Sequence, residues 1–423
     1  MAKSLNQSSS KALVADAAAA NHILANINWN FSTPFSVGRS GTSLFDCRKY
    51  HWYPATFVPE IPYTLIEVLT MPGAAVLDPF AGIGTTIFQG ILLGRRPYAV
   101  EISRVAVEFM RAMWLLLSPS TDLSRGGEFL QEVGDGYDAG KDYRSSLDSS
   151  DVLLDSLRPW YSEAAFNQVA YLILRERKCR HSIRPAMRIA LSATLKAACA
   201  QDRGWGCIAD RVLPKPDQLK GTKNVLQTFF RNVSTLVRDV QAVKETMTPD
   251  ASQFLETADA ETRIVRADIR QCTSLRKESI DIVVTSPPYP NMTDYSLAQR
   301  LSYYWLGEDP AEDLALEIGA RRKRSRPDPI GQYLEGMRCA IKVICDAIKP
   351  GGYACFVMPS FESDTQNNDI RKQAIQDCLS SVSGHGLVLE QTLCRILPMR
   401  RRQHNQKWAS LTKEGIHVFR KRP

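Results

Sequence analysis

Two stretches of the 423-residue chain combine residue types that serve group transfer. "SPPY", Ser286–Tyr289, abruptly ends the apolar run "IDIVVT". Two prolines remove backbone donors and fix φ, so a serine hydroxyl, a proline carbonyl and an aromatic ring are held stiffly at the end of a buried strand. "DPFAGIGTT", Asp78–Thr86, follows a second apolar run. Gly82 and Gly84 let the backbone approach a ligand closely. Thr85 opens a helix whose first amides can hold an anion. The turn lies where a nucleotide-containing cofactor sits in an α/β sheet, at the carboxyl end of the first strand. Glu101 closes the next apolar run, and a carboxylate there can accept both hydroxyls of a ribose.

The glycines alone also fit a tight strand-to-helix turn with nothing bound. Two other cofactor patterns fail at named positions. The dinucleotide fingerprint needs a third glycine where Ile87 stands, and the P-loop needs a lysine after Gly84.

"DPFAGIGTT" resembles the S-adenosylmethionine-binding motif, and "SPPY" the catalytic [DNS]-P-P-[YFW] motif, of the amino-group DNA methyltransferases that make N4-methylcytosine or N6-methyladenine. The two occur together, each just after a predicted strand. The resemblance covers about residues 50–116 and 262–421. It implies S-adenosylmethionine as cofactor and double-stranded DNA as partner, with base flipping and direct in-line transfer. Ser286, Pro287, Pro288 and Tyr289 would be catalytic. The Ser286 side chain and the Pro287 carbonyl would accept the two N–H groups of an exocyclic amine, and Tyr289 would stack on the extruded base. No Pro-Cys dipeptide is present for covalent attack. Cofactor contacts would come from Asp78, Phe80, Gly82, Gly84, Thr85 and Glu101. Asp268 would lie near the adenine ring, and Tyr53, Pro54 and Phe57 near the methionine end. The serine in first position points to N4-cytosine. N6-adenine, RNA guanine-N2 and a catalytically inactive nucleic-acid-binding partner stand as alternatives. A cognate restriction endonuclease is a further expected partner.

The elements that must position these residues alternate. Strand, helix, strand and helix run from residue 74 to residue 117, the signature of a parallel, helix-covered sheet. The alternation resumes at "RIVRAD" and yields seven strand candidates. The expected architecture is a class I methyltransferase fold: a seven-stranded, mostly parallel sheet with helices on both faces. Four parts are expected: a flexible tail over 1–25, a cofactor-binding part over 26–117, a mainly helical insertion for target recognition over 118–261, and the SPPY part over 262–423. Residues 118–148 read as loop, and the chain as extended up to Pro62.

The net charge of +8 permits a polyanionic partner. The basic runs Arg175–Arg184, Arg321–Arg326 and Arg400–Lys407 fit phosphate contacts or solvated faces equally. Arg321, Arg322, Lys323 and Arg324 are the preferred DNA contacts, because they follow the catalytic segment. Trp160 and Trp205 read as core rather than base wedges. Ten cysteines without paired spacing or completing histidines predict no metal site and buried free thiols in a reducing compartment. No secretion signal or apolar run long enough to span a membrane is seen, so a cytoplasmic location is expected.

Overall fold

The computed structural model describes residues 17–31, 44–148, 152–200, 213–219, 224–361, 366–397 and 411–423. Trp205, Cys207 and the basic run Arg400–Lys407 lie outside them.

Seven strands form one sheet: β1 Ala75–Asp78, β2 Arg96–Glu101, β3 Ile264–Arg266, β4 Ile280–Thr285, β5 Ile348–Phe361, β6 Leu387–Ile396 and β7 Leu411–Lys421. Their order is β3-β2-β1-β4-β5-β7-β6. The first five run parallel, and β7 is antiparallel to both its neighbours. The central strands read as unbroken apolar runs because helices cover both faces. Leu77, Val283 and Phe356 enter one core with the helices Pro329–Ala347 and Gln366–Gly384. Their chain neighbours Val76, Ile282, Val284 and Cys355 point the other way, against the helix Glu60–Leu69.

Between β2 and β3 every described element is helical. The helices Glu163–Lys178, Arg184–Ala198 and Val225–Thr246 share one continuous core with the helix Arg104–Leu117 that follows β2. The helical segment is thus built onto the β1–β2 side of the sheet. Trp160 is buried in that core.

Four expectations change. The stretch 118–148 is not all loop, since Gly126–Asp135 is a helix that buries Phe129 and Val133 one turn apart. Its glycines hid the helical pattern but serve close packing: a Cβ on Gly126 would touch Val237 at 3.4 Å. The chain is helical from Glu60, with Pro62 in the first turn, where a missing N–H costs no intrahelical bond. Part of the expected tail is helical. The helix Ala17–Ala25 buries Ala20 and Leu24, and Asn21 exchanges hydrogen bonds with Glu390 and Gln391 on β6. Among the described cysteines six are buried free thiols, while Cys339 and Cys394 are exposed.

Candidate active site

The two motifs meet because β1 and β4 are neighbours in register, Val76 opposite Ile282 and Leu77 opposite Val283. Their carboxyl ends therefore emerge side by side. Two hydroxyls stitch them together: Thr285 Oγ1 donates to Asp78 Oδ1 at 2.6 Å, and Thr86 Oγ1 to the Val284 carbonyl at 3.1 Å. Asp78 also accepts from the Phe80 amide at 3.1 Å, which folds the chain into the glycine turn. Burial lifts the Asp78 carboxyl to about 6, and these donors hold it lower than burial alone would.

A cleft opens over this seam. It encloses about 860 Å³ of empty space including its mouth and the open solvent above it. Gly82, in the left-handed region at φ +53°, forms part of its floor. The Gly82 amide donates to Glu101 Oε2 at 2.7 Å, and the Ser103 amide to Glu101 Oε1 at 2.9 Å. Each carboxylate oxygen keeps a second lone pair, enough for two ribose hydroxyls. Burial raises the Glu101 carboxyl to about 7 against these amides, and the nearby Asp78 and Asp313 push it further up. A Cβ on Gly82 would come to 3.4 Å from the Tyr53 ring, so glycine keeps this side of the cradle open.

Tyr53 and Tyr295 make a stacked pair, centroids 6.1 Å apart at 24°, and both line the cleft. Tyr295 is placed by Glu317, which accepts from the amides of Tyr295 at 3.1 Å and Ser296 at 2.7 Å. Burial raises the Glu317 carboxyl to about 7. Glu317 and its neighbours Leu316 and Ile318 form a wall that sequence reasoning missed. Its only signal was a glutamate flanked by apolar residues before Gly319, in a stretch that otherwise reads as a solvated acidic helix.

Of the expected cofactor residues, Tyr53, Phe57, Asp78, Phe80, Gly82, Thr85, Glu101 and Asp268 line the cleft, as does Pro54. Gly84 does not. It starts the helix Thr85–Leu92 from φ +84°, and a Cβ there would meet Met110 at 2.9 Å, so its role is turn and packing. The Asp268 carboxylate is already engaged by Arg270, whose Nε lies 2.9 Å from Oδ1.

Among the catalytic candidates, Ser286 and Pro288 line the cleft. The Pro288 carbonyl accepts from the Tyr333 hydroxyl at 3.2 Å, which anchors the proline pair. Among the described residues no donor reaches the Pro287 carbonyl. Tyr289 is 7% exposed and is not among the lining residues, so the expected stacking ring lies inside the wall. Its hydroxyl sits between Ser286 and Glu414. A buried phenol needs such partners, and they hold the ring inward.

In the basic run 321–326, Arg321–Ser325 form a short 3₁₀ segment rather than a loop. The Arg322 amide donates to Asp294 at 2.9 Å, and the Lys323 ammonium donates to the carbonyls of Ala315 at 2.8 Å and Glu317 at 2.5 Å. Lys323 is therefore a clamp on the cleft wall, and Arg322 is tied to Asp294. Arg321 and Arg324 remain exposed beside them. In the run 175–184, Arg184 pairs with the buried Glu176 at 3.0 Å.

The strand order with its single antiparallel strand, and the glycine turn at the end of β1, define a class I S-adenosylmethionine-dependent methyltransferase fold. S-adenosylmethionine is the expected cofactor. Residues 20–112 match the model of the N6/N4 DNA methylase family. The type II methyltransferase M.MvaI of Kocuria varians is 24% identical over 61% of this chain and 57% of its own length. M.MjaII of Methanocaldococcus jannaschii is 21% identical over 68% of this chain and 67% of its own. The chain thus spans little more than half the length of the first relative. A solved structure of the rRNA methyltransferase AviRa from Streptomyces viridochromogenes aligns over 93% of this chain and 96% of its own at 11% identity, with a TM-score of 0.34 too low to bear on substrate. The chain is thus similar to the N6/N4 DNA methylase family over residues 20–112 and to type II methyltransferases over longer stretches. Among the described residues no helix is long and apolar enough to cross a membrane.

Proposed function

We propose that this chain transfers a methyl group from S-adenosylmethionine to the exocyclic N4 amino group of cytosine in duplex DNA. One observation carries the reading: Ser286, Gly82 and Glu101 line a single cleft. Bound there, the cofactor supplies an electrophilic methyl on a sulfonium. Glu101 would hold the ribose hydroxyls, and Tyr53 and Phe57 would flank the methionine end. Ser286 Oγ and the Pro287 carbonyl would accept the two amino N–H bonds, which localises a lone pair otherwise delocalised into the ring and aims it at the methyl. The stiff proline pair fixes the angle between these acceptors.

The base must leave the helix to reach this depth. Arg321 and Arg324, beside the cleft wall, would contact phosphates, and the helical segment 118–261 would read the target. A cognate restriction endonuclease is a further proposed partner.

Incubation with labelled cofactor and duplex DNA, followed by digestion to nucleosides, tests the reading. Label in N4-methyldeoxycytidine is expected. Label in N6-methyldeoxyadenosine would overturn the choice of base, and label in RNA alone the choice of nucleic acid. Ser286→Ala should lower the methylation rate about a hundredfold or more while cofactor binding by calorimetry stays unchanged. Full activity in this variant would remove Ser286 from the site.

A further inference from the structure

Behind the cleft wall a row of side chains runs from the SPPY segment to the last strand. Ser286 Oγ donates to the Tyr289 hydroxyl at 3.2 Å. The Tyr289 hydroxyl donates to Glu414 Oε1 at 3.4 Å. Arg395 Nη1 donates to Glu414 Oε2 at 2.8 Å. Glu414 is 8% exposed and Arg395 2%. They face each other across the antiparallel pair β6–β7, where Arg395 and Glu414 are register partners.

The direction of this row is not arbitrary. An ionised carboxylate only accepts, so the single Tyr289 proton must point at Glu414. Tyr289 Oη is then left as an acceptor, and the one Ser286 proton is drawn toward it. Ser286 therefore turns its lone pairs to the cleft. Arg395 pairs with this carboxylate and supplies the opposite charge that a buried carboxylate needs. Burial, and then the Glu414 charge, push the Tyr289 phenol well above its ordinary range, so it remains a donor. An amine presents donors, and it can be held only by an oxygen whose own proton is committed elsewhere.

We propose that Glu414, held by Arg395, is a positioning residue that sets the hydrogen-bond polarity of Tyr289 and Ser286, so that Ser286 meets the target amine purely as an acceptor. The inference rests on the methyltransferase reading and assigns a role to the far end of the sheet, outside both motifs. It also gives Tyr289 a function through its hydroxyl that a phenylalanine at this position could not perform.

Glu414→Gln tests it, because the variant keeps shape and reverses polarity. Arg395 would hold the amide oxygen, leaving the amide N–H to donate to Tyr289, which would then donate to Ser286. With full-length protein, labelled S-adenosylmethionine and duplex DNA, kcat should fall roughly tenfold to a hundredfold. Cofactor affinity and melting temperature should stay near wild type. In a Tyr289→Phe background the same substitution should have no further effect, since the row is already cut. A merely structural Glu414 would give equal losses in both backgrounds, and that result, or an unchanged kcat in Glu414→Gln, overturns the proposal. If wild type methylates no nucleic acid, the proposed function fails. If wild type methylates and Glu414→Gln does too at full rate, only the polarity role fails.

Discussion

At the scale of single residues, Glu101 is the group whose charge state would matter most for the proposed cofactor binding. Burial raises its carboxyl to about 7. Only the ionised form offers lone pairs on both oxygens to a pair of hydroxyls. Cofactor affinity should therefore fall as pH drops from 8 through 7 to 6, approaching tenfold per pH unit below 7. Calorimetric titration across this range checks it, and Glu101→Gln should flatten the profile at weak affinity. Glu101 was legible in the sequence because it ends an apolar run after the glycine turn. Gly84 looked equivalent to Gly82, yet only Gly82 lines the cleft, because two residues further along the turn the backbone packs against Met110 and Phe88 instead.

At the scale of elements, the seam between β1 and β4 joins the two motifs, and Asp78 is its buried acceptor. Its folded carboxyl is raised to about 6 from an ordinary 3.8. The sign follows from linkage: a raised carboxyl binds more protons folded than unfolded, so its contribution falls as pH rises from about 4 to 6 and stays low above. Asp78→Asn keeps the acceptor for Thr285 and removes the buried charge. The variant should be more stable than wild type at pH 8, by up to about 2–3 kcal/mol, and equal to it near pH 4. Thermal unfolding of the cofactor-free protein at both pH values checks this. The strands were readable as apolar runs, but the helix Gly126–Asp135 was not, because its glycines are explained only by the side chains packed against them.

At the scale of the whole molecule, the basic run shows why charge in a sequence does not translate directly into a binding surface. Four consecutive cations, Arg321 to Arg324, looked alike. Folding ties Lys323 to two carbonyls of the cleft wall and Arg322 to Asp294, leaving Arg321 and Arg324 outward. Each outward arginine replaced by alanine should weaken binding to all DNA sequences alike and reduce the salt slope by about 1. Lys323→Ala should instead lower the melting temperature and leave the salt slope unchanged. DNA binding measured against salt concentration separates the two classes.

Sequence by itself determined the chemistry-bearing turns, the alternating strands and helices, and the carboxylate at the end of the second strand. Each is written in contiguous residues and follows from local rules of φ, burial and spacing. Only the tertiary structure decided which of those residues share a cleft, that Glu317 and Tyr295 complete its wall, and that Tyr289 looks inward to Glu414. Glu414 lies 125 positions from Tyr289. They meet because β7 inserts antiparallel between β5 and β6, a pairing set by the closure of the whole sheet and by no local pattern.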